Sequence, residues 1–173
     1  GAVHMALVHP AQGTLFDGGL ELVPEGNYLR SQSFRFENIR PWNHGHPELY
    51  QVVLTITAPD GTVTEVVPYH IGFRRFELKN GLMLLNGARL VLNGVNRHEW
   101  NPETGRAIGI DDMTAAMETF KRNNINAVRT CHYPNQTPWY HLCDQNGIYM
   151  MDEANLESHG SWQKLGRVEP SWN

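Results

Sequence analysis

The sequence predicts two unlike parts in one chain: an all-β, sandwich-like part over residues 1–77 and a strand–loop–helix part with a parallel sheet over residues 78–173. Three observations lead there. β-branched, partly alternating runs dominate up to about Arg75. Two Asn-Gly pairs then punctuate residues 80–87. Beyond them, short apolar runs alternate with stretches of helical periodicity, as they do when helices cross between parallel strands.

Residues 3–8 and 50–57 read as half-buried strands because Val, Ile and Thr recur with partial alternation. Ala58-Pro59-Asp60-Gly61 predicts a hairpin return into residues 62–67, since Pro presets one turn position and Gly supplies φ > 0 at another. Residues 10–27 are rich in Gly and Pro and predict loop with an edge strand. About five strands result, short of the roughly seven of an immunoglobulin-like sandwich, so the sandwich is expected to be incomplete at its N-terminal side.

A bridge of short apolar runs follows at 73–79, 82–85 and 88–92, joined by Asn80-Gly81 and Asn86-Gly87. Asn-Gly between apolar runs signals a type I′ hairpin. Residues 89–95 then predict a strand. Residues 111–123 predict a helix capped by Asp111, with Met113, Met117 and Phe120 on one face and Lys121 and Arg122 in the last turn. Residues 125–130 predict a second strand. A second helix starts near Pro138 and stops at Gly147. Residues 148–151, apolar throughout, predict a third strand buried on both faces, and residues 160–173 predict no element.

Composition narrows the function. The chain has 173 residues with 14 basic and 18 acidic side chains, a net charge of −4, which speaks against a nucleic-acid partner. Hydrophobic residues make up 40% and charged ones 18%, enough apolar material for a core. No apolar run reaches the roughly 18 residues of a membrane span, and no membrane partner is expected. The opening residues lack the layout of a secretory signal, and two cysteines make no disulfide framework, so a cytoplasmic setting is the expectation. An eight-stranded α/β barrel takes about 250 residues, so the parallel part holds at most a portion of one.

Each predicted parallel strand ends in a polar cluster: Asn96-Arg97-His98-Glu99, then Arg129-Thr130-Cys131-His132-Tyr133, then Asp152-Glu153 followed by Glu157-Ser158-His159. Parallel strands deliver their carboxyl ends to one side, where ligands bind in such folds. One Arg-His pair at a strand end is ordinarily just solvated; three clusters together argue for a site. Glu157 and His159, one residue apart, share a side of an extended segment and could grip one cation, although the spacing does not name the metal. Cys131, Cys143, His132 and His141 lack zinc-knuckle spacing, and Cys143 is expected in the core. Trp139 and Tyr140 are expected to pack the second helix onto the sheet, and Trp42 and Tyr50 to lie in the sandwich core or at the domain boundary. Trp100, just past the first cluster, is placed to offer an aromatic face to a sugar. No nucleotide-binding glycine pattern or Gly-x-Ser-x-Gly elbow is present.

The segments Gly94-Val95-Asn96-Arg97-His98-Glu99, Asn126-Ala127-Val128-Arg129-Thr130-Cys131-His132-Tyr133-Pro134-Asn135 and Met151-Asp152-Glu153-Ala154-Asn155-Leu156-Glu157-Ser158-His159-Gly160 together resemble the large bacterial β-galactosidases of glycoside hydrolase family 2. The resemblance continues through Trp139-Tyr140, Leu142-Cys143-Asp144 and Pro47-Glu48-Leu49-Tyr50, and is weakest before Asn27. It implies an immunoglobulin-like β-sandwich followed by the first three or so strands of a (β/α)8 TIM barrel, truncated at both ends. It implies part of a retaining enzyme that hydrolyses terminal β-D-galactosides of the lactose type through a covalent galactosyl-enzyme. Glu157 and His159 would be ligands of a catalytic Mg2+, with Na+ a further ion of the parent enzyme. His98 and His132 would donate hydrogen bonds to galactosyl hydroxyls, and Arg129 would hold the nucleophilic carboxylate ionised. Asp152 and Glu153 suit structural pairing.

Retaining glycosidases need two carboxyl groups about 5–5.5 Å apart. No acidic residue here matches either family motif, so no catalytic residue is assigned and the fragment alone is expected to be inactive. The parent is expected to be a homo-oligomer or joined to the missing domains. Two other readings compete: a non-catalytic carbohydrate-binding module, and a complementation or assembly fragment. A metal-dependent hydrolase of another barrel family would need more ligands than Glu157 and His159.

Overall fold

A computed structural model describes residues 1–156 of the chain, and the described residues divide into two compact units, Gly1–Leu90 and the residues from Val91 onward. The first unit is all β. Its strands are β1 (Ala2–His9), β2 (Gly13–Gly19), β3 (Leu22–Glu25), β4 (Tyr28–Ser31), β5 (Tyr50–Thr57), β6 (Val63–Ile71), β7 (Phe76–Lys79), β8 (Leu82–Leu85) and β9 (Ala88–Arg89). A four-stranded antiparallel sheet runs β2-β1-β5-β6, beside a β3-β4 hairpin and a β7-β8-β9 meander.

The turn chemistry behaves as the sequence predicts. Gly61 stands at φ +86 and its N–H donates to the Ala58 carbonyl at 3.0 Å. Both Asn-Gly pairs have positive φ at both residues, 52 and 76 at Asn80 and Gly81, 53 and 85 at Asn86 and Gly87, the backbone of type I′ turns. Residues 10–27 hold the expected edge strand, β2, and beyond the expectation a further strand, β3, with the turn into β4. Glycine and proline are tolerated there because β2 is the edge of its sheet and β3 has a single neighbour.

Leu7, Trp42, Tyr50 and Leu85 are the buried apolar side chains of this unit. Phe73 meets Tyr50 edge-on at 5.0 Å, and the Tyr50 hydroxyl donates to Gln12 Oε1 and accepts the Arg40 N–H, both at 2.8 Å. His9 is buried with both ring nitrogens occupied. Its Nδ1 accepts the Ala11 N–H at 3.2 Å, which puts the proton on Nε2, 2.9 Å from Glu48 Oε2.

The second unit holds β10 (Gly94–Arg97), α1 (Ile110–Arg122), β11 (Ala127–Thr130), α2 (Thr137–Asn146) and β12 (Tyr149–Met151). The three strands form a parallel sheet in the order β10-β11-β12, with Asn96 opposite Arg129 and Arg129 opposite Met151. The single strand expected over 89–95 is two: Ala88 and Arg89 pair back onto β8, whereas β10 begins at Gly94 and pairs with β11. Asn93 marks the change of partner, its side chain donating to the Asn124 carbonyl and its N–H to Asn126 Oδ1, both at 2.7 Å.

Helix α1 is capped by Gly109 rather than Asp111. Asp112, at the third helical position, reaches back to accept the Gly109 N–H at 2.9 Å, a stronger anchor than an Asp111 side chain would give from inside the first turn. Helix α2 ends as expected, on Gly147 at φ +69. Ile108, Met113, Met117, Phe120, Val128, Trp139, Cys143 and Ile148 form the core, so the predicted face of α1 and the buried Cys143 and Trp139 stand. The third strand is less buried than its composition predicts. Tyr149 and Met150 are half-buried and Met151 is exposed, because β12 has one strand neighbour among the described residues.

Candidate functional site

The parallel register brings the carboxyl ends of β10, β11 and β12 to one side of the sheet. The pleat then sorts their side chains, since successive residues of a strand point to opposite faces. On the helix-covered face Val95 and Val128 pack in the core. Arg97 follows them, its guanidinium 3.7 Å from the centroid of the Trp139 ring. On the opposite face Asn96, His98 and Arg129 come next to one another.

Arg129 is the hub of that second face. Its Nε donates to Glu153 Oε1 at 2.5 Å, Nη1 to Asn96 Oδ1 at 3.3 Å and to Cys131 Sγ at 3.2 Å, and Nη2 lies 3.2 Å from His132 Nδ1. His132 Nδ1 is also 3.3 Å from Glu153 Oε2. The two contacts compete for one nitrogen: accepting from Arg129 puts the proton on Nε2, whereas donating to Glu153 puts it on Nδ1. The His98 ring stands edge-on to His132 at 5.4 Å and tilted to Tyr133 at 6.2 Å. Three residues singled out in the sequence, His98, Arg129 and His132, are thus brought together with Asn96 and Glu153. The face presents imidazoles and a guanidinium held by a carboxylate, a donor-rich surface suited to the hydroxyl groups of a polar ligand.

The helix-covered face carries a clamp that the sequence reading missed. Arg97 and Glu99 are both buried, and Arg97 Nη1 reaches Asn135 Oδ1 at 2.5 Å and Glu99 Oε1 at 3.5 Å. Glu99 Oε1 accepts the Gln136 N–H at 3.0 Å, and its own N–H donates to the Tyr133 hydroxyl at 3.1 Å. The loop bearing His132 is therefore tied at Tyr133, Asn135 and Gln136 to the end of β10. Burial lowers the Arg97 pKa while neighbouring Glu99 opposes that shift; a guanidinium keeps its proton regardless. The alternation within Asn96-Arg97-His98-Glu99 was the available signal, since a charged residue pointing at a helix needs a buried partner.

Asp152 and Glu153 divide between the faces. Asp152 Oδ1 accepts from the Thr130 and Tyr140 hydroxyls, each at 2.9 Å, while Glu153 joins Arg129 and His132. Burial, with the bond to Asp152, raises the Tyr140 pKa above the phenol value. Cys143 is pushed up to about 12, chiefly by burial and then by Asp144, so it is an inert core thiol. Trp100 is 64% exposed beyond the first cluster. Glu157 and His159 lie outside the described residues. Among the described residues no group of three or more His, Cys, Asp or Glu side chains is arranged to hold a metal ion.

Comparison with known proteins adds identity to this geometry. The family model described as glycosyl hydrolases family 2 matches residues 7–74, and that described as glycosyl hydrolases family 2, TIM barrel domain, matches residues 76–173. The expected order, sandwich and then the start of a barrel, is borne out. The β-galactosidase large subunit of Lactobacillus acidophilus is 57% identical over 152 residues, 87% of this chain and 24% of that protein. The β-galactosidase of Streptococcus thermophilus is 52% identical over 162 residues, 94% of this chain and 16% of that protein. Among solved structures, a β-glucuronidase from Ruminococcus gnavus in complex with D-glucuronic acid matches with a TM-score of 0.73 and 27% identity, over 88% of this chain and 25% of that one. The chain spans a quarter or less of the length of each of these proteins.

Proposed function

This chain belongs to glycosyl hydrolases family 2, and from that premise we propose that it is part of a retaining β-galactosidase acting on terminal β-D-galactosides of the lactose type. The observation that carries the reading is the meeting of His98, His132 and Arg129 at the carboxyl ends of parallel strands. The 52–57% identity to proteins named β-galactosidase favours galactosides over the glucuronides of the more distant structural neighbour.

In this reading His98 and His132 donate to galactosyl hydroxyls, contacts that strengthen as positive charge develops on the sugar. Arg129 holds a carboxylate ionised and oriented on the same face. Glu157 and His159 hold a Mg2+ ion, Glu157 supplying the hard oxygen that this cation favours. When bound, the ion contributes positive charge beside the sugar. Na+ is a further ion of the whole enzyme in this proposal, as are assembly into a homo-oligomer or union with further domains and a cytoplasmic location. The buried free thiols Cys131 and Cys143 suit a reducing compartment.

The carboxyl pair of a retaining reaction has no match in these 173 residues. The chain alone is therefore expected to bind galactoside without turning it over. Methyl β-D-galactoside and methyl β-D-glucuronide are titrated into isotope-labelled protein while the imidazole resonances of His98 and His132 are followed. Saturable shifts with the galactoside, weaker ones with the glucuronide and loss of both in His132→Ala are expected. Unmoved imidazole signals, or a preference for the glucuronide, would refute the galactoside reading.

A further inference from the structure

We propose that Asn80 is a site of spontaneous covalent modification, losing its side-chain amide through a succinimide closed on the Gly81 nitrogen. No sugar is involved. The chain holds four Asn-Gly pairs, at 80–81, 86–87, 93–94 and 146–147. Glycine suits this chemistry because it brings no Cβ to obstruct the approach of its nitrogen to the amide before it. Local sequence therefore leaves the four pairs alike, and the fold separates them. Asn86 Nδ2 donates to the Trp42 carbonyl at 3.0 Å, and Asn86 Oδ1 accepts the Arg75 N–H at 2.9 Å. Asn93 Nδ2 donates to the Asn124 carbonyl and Asn146 Nδ2 to the Leu142 carbonyl, both at 2.7 Å. Asn80 is exposed in the turn between β7 and β8, and its side chain has no such bond among the described residues.

The surroundings of the four pairs point the same way. Asn86-Gly87 has the same positive-φ turn as Asn80-Gly81, so those two differ chiefly in how the side chain is held. Gly94 begins β10, where a Cβ would lie 3.2 Å from Ala127 Cβ, and Asn146 ends α2, so regular structure fixes the main chain at both. A Cβ on Gly81 would meet nothing within 4 Å, and the residue is exposed to water and base. The step balances with water as the co-reactant. Base takes the Gly81 N–H proton, the nitrogen bonds to Asn80 Cγ, the Cγ–Nδ2 bond breaks, and with a proton returned ammonia leaves. Water then adds to either carbonyl of the ring and opens it to aspartyl or isoaspartyl, and nothing is oxidised or reduced. Either product places a negative charge beside Lys79. The isoaspartyl form also lengthens the main chain of a two-residue loop, against the Lys79–Leu82 register.

A hydrogen bond that must open before the ring closes slows closure about five-fold, and two such bonds about twenty-five-fold. The 173-residue chain is held folded in mildly alkaline buffer, sampled over time and digested at mildly acidic pH, where ring closure is slow. Cleavage after Lys79 and Arg89 yields one peptide, residues 80–89, that carries both Asn80 and Asn86. Fragment ions of that peptide then give the two conversions side by side. Asn80 is expected to convert about twenty-five-fold faster than Asn86 and about five-fold faster than Asn93 and Asn146. In denaturant the four rates are expected to converge, because the hydrogen bonds that hold three of them are gone. Asn80→Ser is expected to remove the main acidic variant that accumulates on ion exchange. Equal rates at Asn80 and Asn86 in the folded chain, faster conversion at Asn93 or Asn146, or a difference that persists unchanged in denaturant would overturn the assignment, as would an acidic variant that survives Asn80→Ser.

Discussion

Replacing Arg97 by Met keeps most of the side-chain volume and removes the charge, so it isolates the clamp behind the His132 loop. Two losses set the magnitude. The guanidinium sits 3.7 Å from the Trp139 centroid, with Arg97 9% exposed, and a desolvated cation–π contact is worth about 2 kcal/mol. Glu99, 8% exposed, then keeps the Gln136 N–H at 3.0 Å but loses its cation, a further cost of about 1–3 kcal/mol. The Arg97–Glu99 separation of 3.5 Å is long for a strong bond, so the lower end applies, and the sum is about 3 kcal/mol. Urea unfolding followed by far-UV ellipticity, which reports on α1 and α2, measures it as a fall in midpoint at constant m-value. Glu99→Gln added to Arg97→Met should restore about 1 kcal/mol, because the stranded charge is then gone. A loss below about 1 kcal/mol for the single variant, or two substitutions that simply add within about 0.5 kcal/mol, would refute the clamp.

Other perturbations test other parts of the chain. A Cβ at Gly72 would lie 2.9 Å from Trp42 Cβ and Cγ, so Gly72→Ala should destabilise the first unit by about 1–3 kcal/mol, read as an earlier melt of its Trp fluorescence. The Gly109 N–H, and then Asn101, lower the Asp112 pKa. A carboxyl held down in the folded state stabilises above its unfolded value of about 3.9 and loses that contribution as pH falls through the lower folded value. Asp112→Asn should therefore remove part of the acid-induced loss of helix ellipticity, and an unchanged acid profile would speak against the cap. With Cys131 and Cys143 buried and the Cys143 thiol near 12, neither should react with a disulfide reagent at pH 8 until denaturant is added; rapid labelling in native buffer would contradict the core assignment.

Elements set by local chemistry were legible in the sequence. The Asn-Gly hairpins, the Gly147 helix stop and the Met113, Met117, Phe120 face follow from backbone preference and period, and the structure has them as read. What depended on a distant partner was not legible. Nothing local says that Arg89 pairs back to Leu84 while Gly94 pairs forward to Ala127, so one expected strand became two. The gathering of His98, Arg129 and His132 was legible because parallel strands must bring their ends together. The Arg97–Asn135–Glu99 clamp was not, because its partners come from a loop whose path no periodicity encodes.

The pleat that separates clamp from site also limits what the described residues can do chemically. Asp152 and Glu153 are neighbours in sequence at the end of β12, and a carboxylate pair is the first requirement of a retaining glycosidase. They cannot act as that pair. Asp152 is engaged by Thr130 and Tyr140 on the helix side, and Glu153 by Arg129 and His132 on the other. Glu153 is further committed as the counter-charge of Arg129, an ion pair whose partner would be left uncompensated if the carboxylate moved to attack a sugar. Asn96, His98, Arg129 and His132 instead form a surface of hydrogen-bond donors and acceptors whose backing is fixed from the opposite side. Such a surface suits hydrogen bonding to a polyhydroxylated ligand but supplies no free carboxylate pair. Adding a carboxylate by Asn96→Asp should for the same reason give no hydrolysis of a chromogenic galactoside, since the new group would only become a second counter-ion of Arg129.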